Sequence, residues 1–334
     1  MNHKLIAFLL TTFVCTSCLV SNAQTNKAQK STAERVRNVT NKINRKQKYQ
    51  LAYKLRKGEE IISVVEHTAD TKTQMAGETV KSSSRAETTR NWSVANVDSL
   101  GNMTFVYSIV GVNMWTKFDD EKPDTYDSVK DTEVPDQYKA TADSIGKPLV
   151  VFTISPNGEI LDKKSNLPTG DFSVGDVTVP LPKEPIAVGH VWNVPTILNA
   201  NEGKKQVKLK AQIRYHLRKV ERKASGDIAY IDFKTQVISE MSEKVKSTVM
   251  QKMTRGIIGF NIKLGRPMYK VVEWNETVQG FEGPDSYLRL VGRITEKIKL
   301  DSDTSSSKLT PVDSAVASKP ASIKTREGGP ILRK

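Results

Sequence analysis

Gln206-Val207-Lys208-Leu209-Lys210-Ala211-Gln212-Ile213-Arg214-Tyr215-His216-Leu217 alternates without a break. Val207, Leu209, Ala211, Ile213, Tyr215 and Leu217 fall on one side, and mostly Lys, Gln and Arg on the other. A side-chain period of two belongs to a strand. An apolar row backed by a charged row describes a sheet with one face on a core and one in water.

The same signal extends outward in both directions. Thr104 to Val112 is β-branched and aromatic and follows a Leu100-Gly101-Asn102 turn. Leu149 to Ile154 is closed by Ser155-Pro156-Asn157-Gly158, a strong turn sequence. Ile228 to Ile238, Tyr269 to Glu276 and Tyr287 to Leu300 continue the series. Two segments read as helix: Pro135 to Ser144, with Pro135 suited to a first turn, and Ser242 to Met253, with Val245, Val249 and Met253 at helical spacing.

The chain also partly repeats. Arg90-Asn91-Trp92-Ser93-Val94, a turn at Gly101 and the strand from Thr104 match Arg214-Tyr215-His216-Leu217, a turn at Gly226 and the strand from Ile228. Ile154 to Gly158 is set against Val278 to Gly283, and both comparisons are offset by about 125 residues. The expected fold is mainly β (α+β): two similar curved antiparallel sheets from an internal duplication, side by side or sharing one long sheet, with few helices. The first β-rich half is residues 49–178 and the second 186–300, with the Pro-rich Val179 to Pro185 between them as linker or sheet edge.

The phrases Leu55-Arg56-Lys57-Gly58-Glu59, Ser155-Pro156-Asn157-Gly158-Glu159 and Gly189-His190-Val191-Trp192 resemble those of uncharacterised exported β-rich bacterial proteins, over roughly residues 50–300. In pattern alone the chain resembles periplasmic lipoprotein carriers, whose half-barrel sheet shelters an acyl chain. The family resemblance implies no catalytic residue.

Residues 1–23 read as a signal peptide: Lys4, the apolar run Leu5 to Val14, then Ser21-Asn22-Ala23 at the cut. A membrane span needs about 20 apolar residues, roughly twice this run. The expected location is exported, periplasmic or extracellular. Both cysteines, Cys15 and Cys18, lie in the presequence, so a cut after Ala23 leaves no thiol chemistry. Thr16-Ser17-Cys18 offers the alternative of lipoprotein anchoring at Cys18.

The net charge of +14 is uneven: residues 24–57 hold eleven Lys or Arg and one Glu. Residues 24–48 form a basic arm, partly helical, with a capping box at Ser31 and Glu34 and an apolar stripe at Val36, Val39 and Ile43. Its candidate partner is an anionic membrane surface, weighed against simple packing on the domain. Nucleic acid is not expected, because the arm has no aromatic residue before Tyr49. Residues 301–334, rich in Ser, Thr, Lys and Pro, read as a disordered tail.

No residue is assigned as catalytic, cofactor-binding or metal-binding, and no cofactor is implied. His67, His190 and His216 are not at ligand spacing, and no phosphate loop, dinucleotide fingerprint or nucleophile elbow occurs. The acidic run Asp119, Asp120, Glu121, Asp124, Asp127, Asp131 and Glu133 lacks a calcium-loop order and reads as a solvated loop. Asn38, Asn91, Asn102 and Asn275 stand in glycosylation sequons, without consequence in a bacterium. Trp92, Trp115, Trp192 and Trp274 read as core anchors first, and as sugar- or lipid-stacking residues second. The resulting expectation is a non-enzymatic envelope protein that binds an apolar ligand or lipid. The alternative is a structural or protein-interaction role, and the third reading a hydrolase. Oligomeric state is left open.

Overall fold

The computed structural model describes residues 47–165, 178–203 and 205–299; the expected signal peptide, the basic arm through residue 46 and the expected C-terminal tail fall outside the described residues. The chain runs through β1 (Lys48–Tyr49), β2 (Glu60–Met75), β3 (Glu78–Val97), β4 (Met103–Phe118), β5 (Asp124–Asp127), α1 (Lys139–Ser144), β6 (Pro148–Ile154) and β7 (Ile160–Ser165). It continues through β8 (Ile186–Ala187), β9 (Val191–Glu202), β10 (Lys205–Lys223), β11 (Gly226–Val237), α2 (Glu243–Val249), β12 (Arg255–Asn261), β13 (Arg266–Gln279) and β14 (Tyr287–Ile298). The fold is mainly β, as its alternation predicts. Strands β2 to β7 and β9 to β14 share one antiparallel sheet, ordered β7-β6-β4-β3-β2-β14-β13-β12-β11-β10-β9, with β5 on β4. The seam between the two series is β2 against β14, in register from Gln74 opposite Tyr287 to Ser63 opposite Ile298.

Local chemistry sets the elements. Ala76 and Gly77, both with positive φ (51° and 81°), make the two-residue turn joining β2 to β3, the backbone twist that matches a right-twisted hairpin. Ser242 caps α2, its hydroxyl accepting from the Val245 amide at 3.3 Å. Val245, Val249 and Met250 of this segment are buried; Met253 is only partly so. Along β10 the apolar row is the inner one: Leu209, Ala211, Tyr215 and Leu217 are buried.

The sheet curls on itself. In strand order β6 and β12 are six steps apart, roughly 29 Å if the sheet were flat. Yet the Tyr53 amide donates to the Pro156 carbonyl just after β6 (2.7 Å), and the next amide, Lys54, donates to the Gly265 carbonyl just after β12 (3.1 Å). Consecutive residues therefore tie together two turns that only strong curvature brings side by side. The segment before β2 closes this end with Leu51, Tyr53 and Leu55, all buried in the same core cluster as Phe152 of β6 and Ile258 of β12.

Backbone geometry recurs between the two series. The Gly58 amide donates to Val94, Glu59 to Arg56, and Val94 to Glu59; likewise Gly189 donates to Leu217, His190 to Ala187, and Leu217 to His190. A bulge follows at the same place in each, between Val94 and Asn96 against β4 and between Leu217 and Lys219 against β11. The second sequence match is different. The Ser155–Gly158 turn is closed by Gly158 N–H to Ser155 and the Asn261–Gly265 turn by Gly265 N–H to Asn261, whereas Val278 to Gly283 covers the end of β13 and the start of the connection to β14.

Two expectations change. The Pro-rich stretch is packed against the core: Val179 and Leu181 are buried, the Leu181 amide donates to Asn157, and the Trp192 indole donates to the Pro180 carbonyl at 2.8 Å. Prolines kept it out of the sheet, and the apolar residues between them kept it off the solvent. Charge is also not confined to the arm. Residues 58–165 hold 11 Lys and Arg against 18 Asp and Glu, whereas residues 186–299 hold 21 against 11. Near neutrality of residues 58–299 conceals a sheet that is acidic at one end and basic at the other.

Candidate functional site

Beneath the Tyr53–Leu55 strap lies a cavity of about 60 Å³. Ile61, Trp92, Phe105 and Ile154 from the first strand series line it, with Ile258, Pro267 and Ile298 from the second, and Thr178 and Val179 from the Pro-rich segment. Trp92 is held by aromatic neighbours on both sides, Tyr107 at 4.2 Å and Phe152 at 5.4 Å between ring centroids. Tyr53 packs edge-on against Phe260 at 5.5 Å, and its hydroxyl accepts from the Val179 amide at 2.7 Å. Burial pushes the Tyr53 phenol far above its ordinary ionisation range, only partly offset by that hydrogen bond.

One side of the cavity is charged. Arg266, Lys270 and Glu296 line it. Arg266 pairs with Glu59, Lys270 stands opposite Glu296 across β13 and β14, and the fully buried Ser63 hydroxyl donates to Glu296 at 2.9 Å. Farther along the same face Arg90 lies over the Tyr107 ring, 5.9 Å from its centroid, with its Nε buried and without a hydrogen-bond partner among the described residues. His67 stands 6.0 Å from the Trp274 ring. Burial first, and the Arg90 charge second, hold the imidazole well below its usual pKa, so it is neutral at pH 7. The arrangement is an apolar slot with paired charges along one wall. About 60 Å³ is room for roughly two waters and far below the several hundred Å³ of a ligand pocket, so anything larger enters only with rearrangement of the lining.

The residues weighed in the sequence are dispersed. His67 is on β2 at the core, His190 stacks on Trp192 in the turn before β9, and His216 faces Asp232 at 3.8 Å on the opposite, wet face. Trp92 and Trp274 are core residues; Trp115 and Trp192 are partly buried. The acidic run contains strand β5, and its carboxylates tie down turns. Asp127 accepts from the Val129 amide, the Asn113 amide group and Lys130, and Asp119 accepts from the Lys81 amide. Among the described residues no three acidic, His or Cys side chains converge as a metal cluster. Asn102 is bound to Asp98, and Asn275 is exposed on β13; Asn38 lies outside the described residues. Sequence reasoning missed Arg266, Lys270 and Glu296. Their strands were found, but isolated charges on strands give no signal until curvature brings them to one cavity.

No known family model matches the chain, and no curated protein does. Among solved structures it is similar to a lipovitellin studied for its lipid–protein interactions, with 11% identity and a TM-score of 0.45, over 74% of this chain and 25% of that one. It is also similar to a DUF1329 family protein from Desulfovibrio piger, with 10% identity and a TM-score of 0.15, over 71% of this chain and 83% of that one. This chain thus spans a quarter of the lipovitellin chain, and at these scores both likenesses stop short of function.

Proposed function

We propose that the protein is an exported, non-enzymatic envelope protein that holds an apolar ligand or lipid in the curl of its sheet. The observation that carries this reading is an apolar cavity lined from both strand series and by Tyr53 and Leu55 of the strap. The recurring turn and bulge support a duplicated layout in which each copy supplies one wall. The charges of Arg266, Lys270 and Glu296 suit the polar end of an amphiphile whose apolar part lies against Ile61, Phe105 and Ile258. On this reading the strap moves on loading, against two main-chain hydrogen bonds, the Tyr53 phenol and the burial of Tyr53 and Leu55 in the core.

The small volume favours a second reading, in which the core stays filled and the protein works through its surface in envelope structure or protein interaction. Native mass spectrometry of the mature protein, purified from a lipid-containing bacterial host, separates the two. A stoichiometric adduct that is weakened by Ile258→Trp supports the carrier. A clean apo mass, unchanged after incubation with envelope lipids, leaves the interaction reading.

A further inference from the structure

The wet face of the sheet carries a feature that the cavity does not use. The registers place Arg214 of β10 opposite Lys234 of β11, and Lys234 opposite Arg255 of β12. Three cations therefore stand abreast within roughly 10 Å, with like charges as direct cross-strand neighbours, a destabilising arrangement that ends only at Glu273 of β13, the partner of Arg255 on its other side. Lys208 and Lys210 extend the cluster along β10, and all five are exposed. Nearby cations are neutralised: Arg218 by Asp232, Lys219 and Lys223 by Glu221, and Arg222 by Asp227. Among the described residues none of the five has an ion pair.

Apolar side chains stand in the same patch. Lys210 is opposite Ile197 of β9, and its carbonyl accepts from the amide of Ile238. The two isoleucines are 53% and 61% exposed, and so flank Lys210 on the wet face. A partner that only balanced charge would leave these isoleucines in water. A surface with anionic phosphates above an acyl region satisfies both.

We propose that this face of β9–β12 is a docking surface for an anionic lipid bilayer, with the five cations on headgroup phosphates and Ile197 and Ile238 entering the interface. The assignment is independent of the cavity and of the basic arm. The acidic opposite end of the sheet is then turned away from the membrane by its own repulsion.

The test is vesicle co-sedimentation of the full mature chain, arm included, with phosphatidylglycerol vesicles and with pure phosphatidylcholine vesicles. The variants are R214Q/K234Q/R255Q, I197S/I238S, and K117Q/K122Q/K147Q, which removes equal charge from the acidic half. Thermal unfolding confirms that each is folded. The expected result is binding to phosphatidylglycerol only, weakened on the order of a hundredfold by the first variant and measurably by the second, and unchanged by the third. Equal binding by wild type and the first variant overturns the proposal, because the arm then carries the affinity. Absence of binding overturns it too. So does a concentration-dependent dimer that R214Q/K234Q/R255Q abolishes without any vesicle binding, which assigns the patch to the acidic end of a second copy.

Discussion

Trp274 of β13 lies flat across Gly292, its partner on β14: a Cβ built at residue 292 would come within 2.5 Å of the indole. The glycine is what lets a buried tryptophan sit next to the central seam. Gly292→Ala is expected to displace the ring and destabilise the fold by about 1–3 kcal/mol. Urea unfolding checks the magnitude, and a shift of tryptophan emission in the native state checks the cause.

Tyr53→Phe removes the hydroxyl of the strap that receives the Val179 amide. A buried donor left unmade costs about 1–3 kcal/mol. The phenol also confers a pH dependence. Its folded pKa is raised above the ordinary value of 10.0 by burial, so the unfolded chain loses this proton first. Stability from this group is complete below pH 10 and is lost as pH rises above it. Melting temperatures of wild type should therefore fall more steeply above pH 10 than those of Tyr53→Phe. Equal slopes in the two proteins would show that the phenol is not protected.

On the acid side the expected sensor is His67. Burial and Arg90 lower its folded pKa well below 6.5, so the unfolded chain takes up the proton first. The contribution is present above pH 6.5 and is lost as pH falls below it. His67→Gln, which stays neutral, should lose less stability than wild type between pH 7 and 5 in thermal melts at matched ionic strength.

The cap of α2 offers a local check. Ser242→Ala is expected to cost about 1 kcal/mol and to act on the packing of Val245 and Val249 over Leu209 and Leu198. Ser242→Asp, which retains the cap, should restore it. Chemical denaturation of the three proteins distinguishes capping from a volume effect.

What the sequence made legible follows from where each strand's faces point. β10 declared itself because its inner row is apolar and its outer row charged. β2 and the outer part of β3 did not, because Thr71, Ser82 and Ser84 are buried polar residues, so Thr71 to Arg90 reads as polar on both faces. The Ala76-Gly77 turn was the available signal for that hairpin. Both helices were found, the first from its proline and the second from its apolar spacing. The cavity was not legible: its strand residues come from β2, β3, β4, β6, β12, β13 and β14, and only the curl brings them together. The charge polarity of the sheet was present in composition, but a sum over residues 58–299 cancels it.

The seam between β2 and β14 sets an order of events. Ser63 and Ile298 are partners at opposite ends of the folded chain, so this pairing has among the largest loop-closure costs in the molecule. Until the last strand has been synthesised, β2 and β13 are both open edges. The protein can therefore form two separate half-sheets but cannot close. A chain ending before Tyr287 should be long-lived as an aggregation-prone intermediate, and release of the final strand is the step that commits the fold.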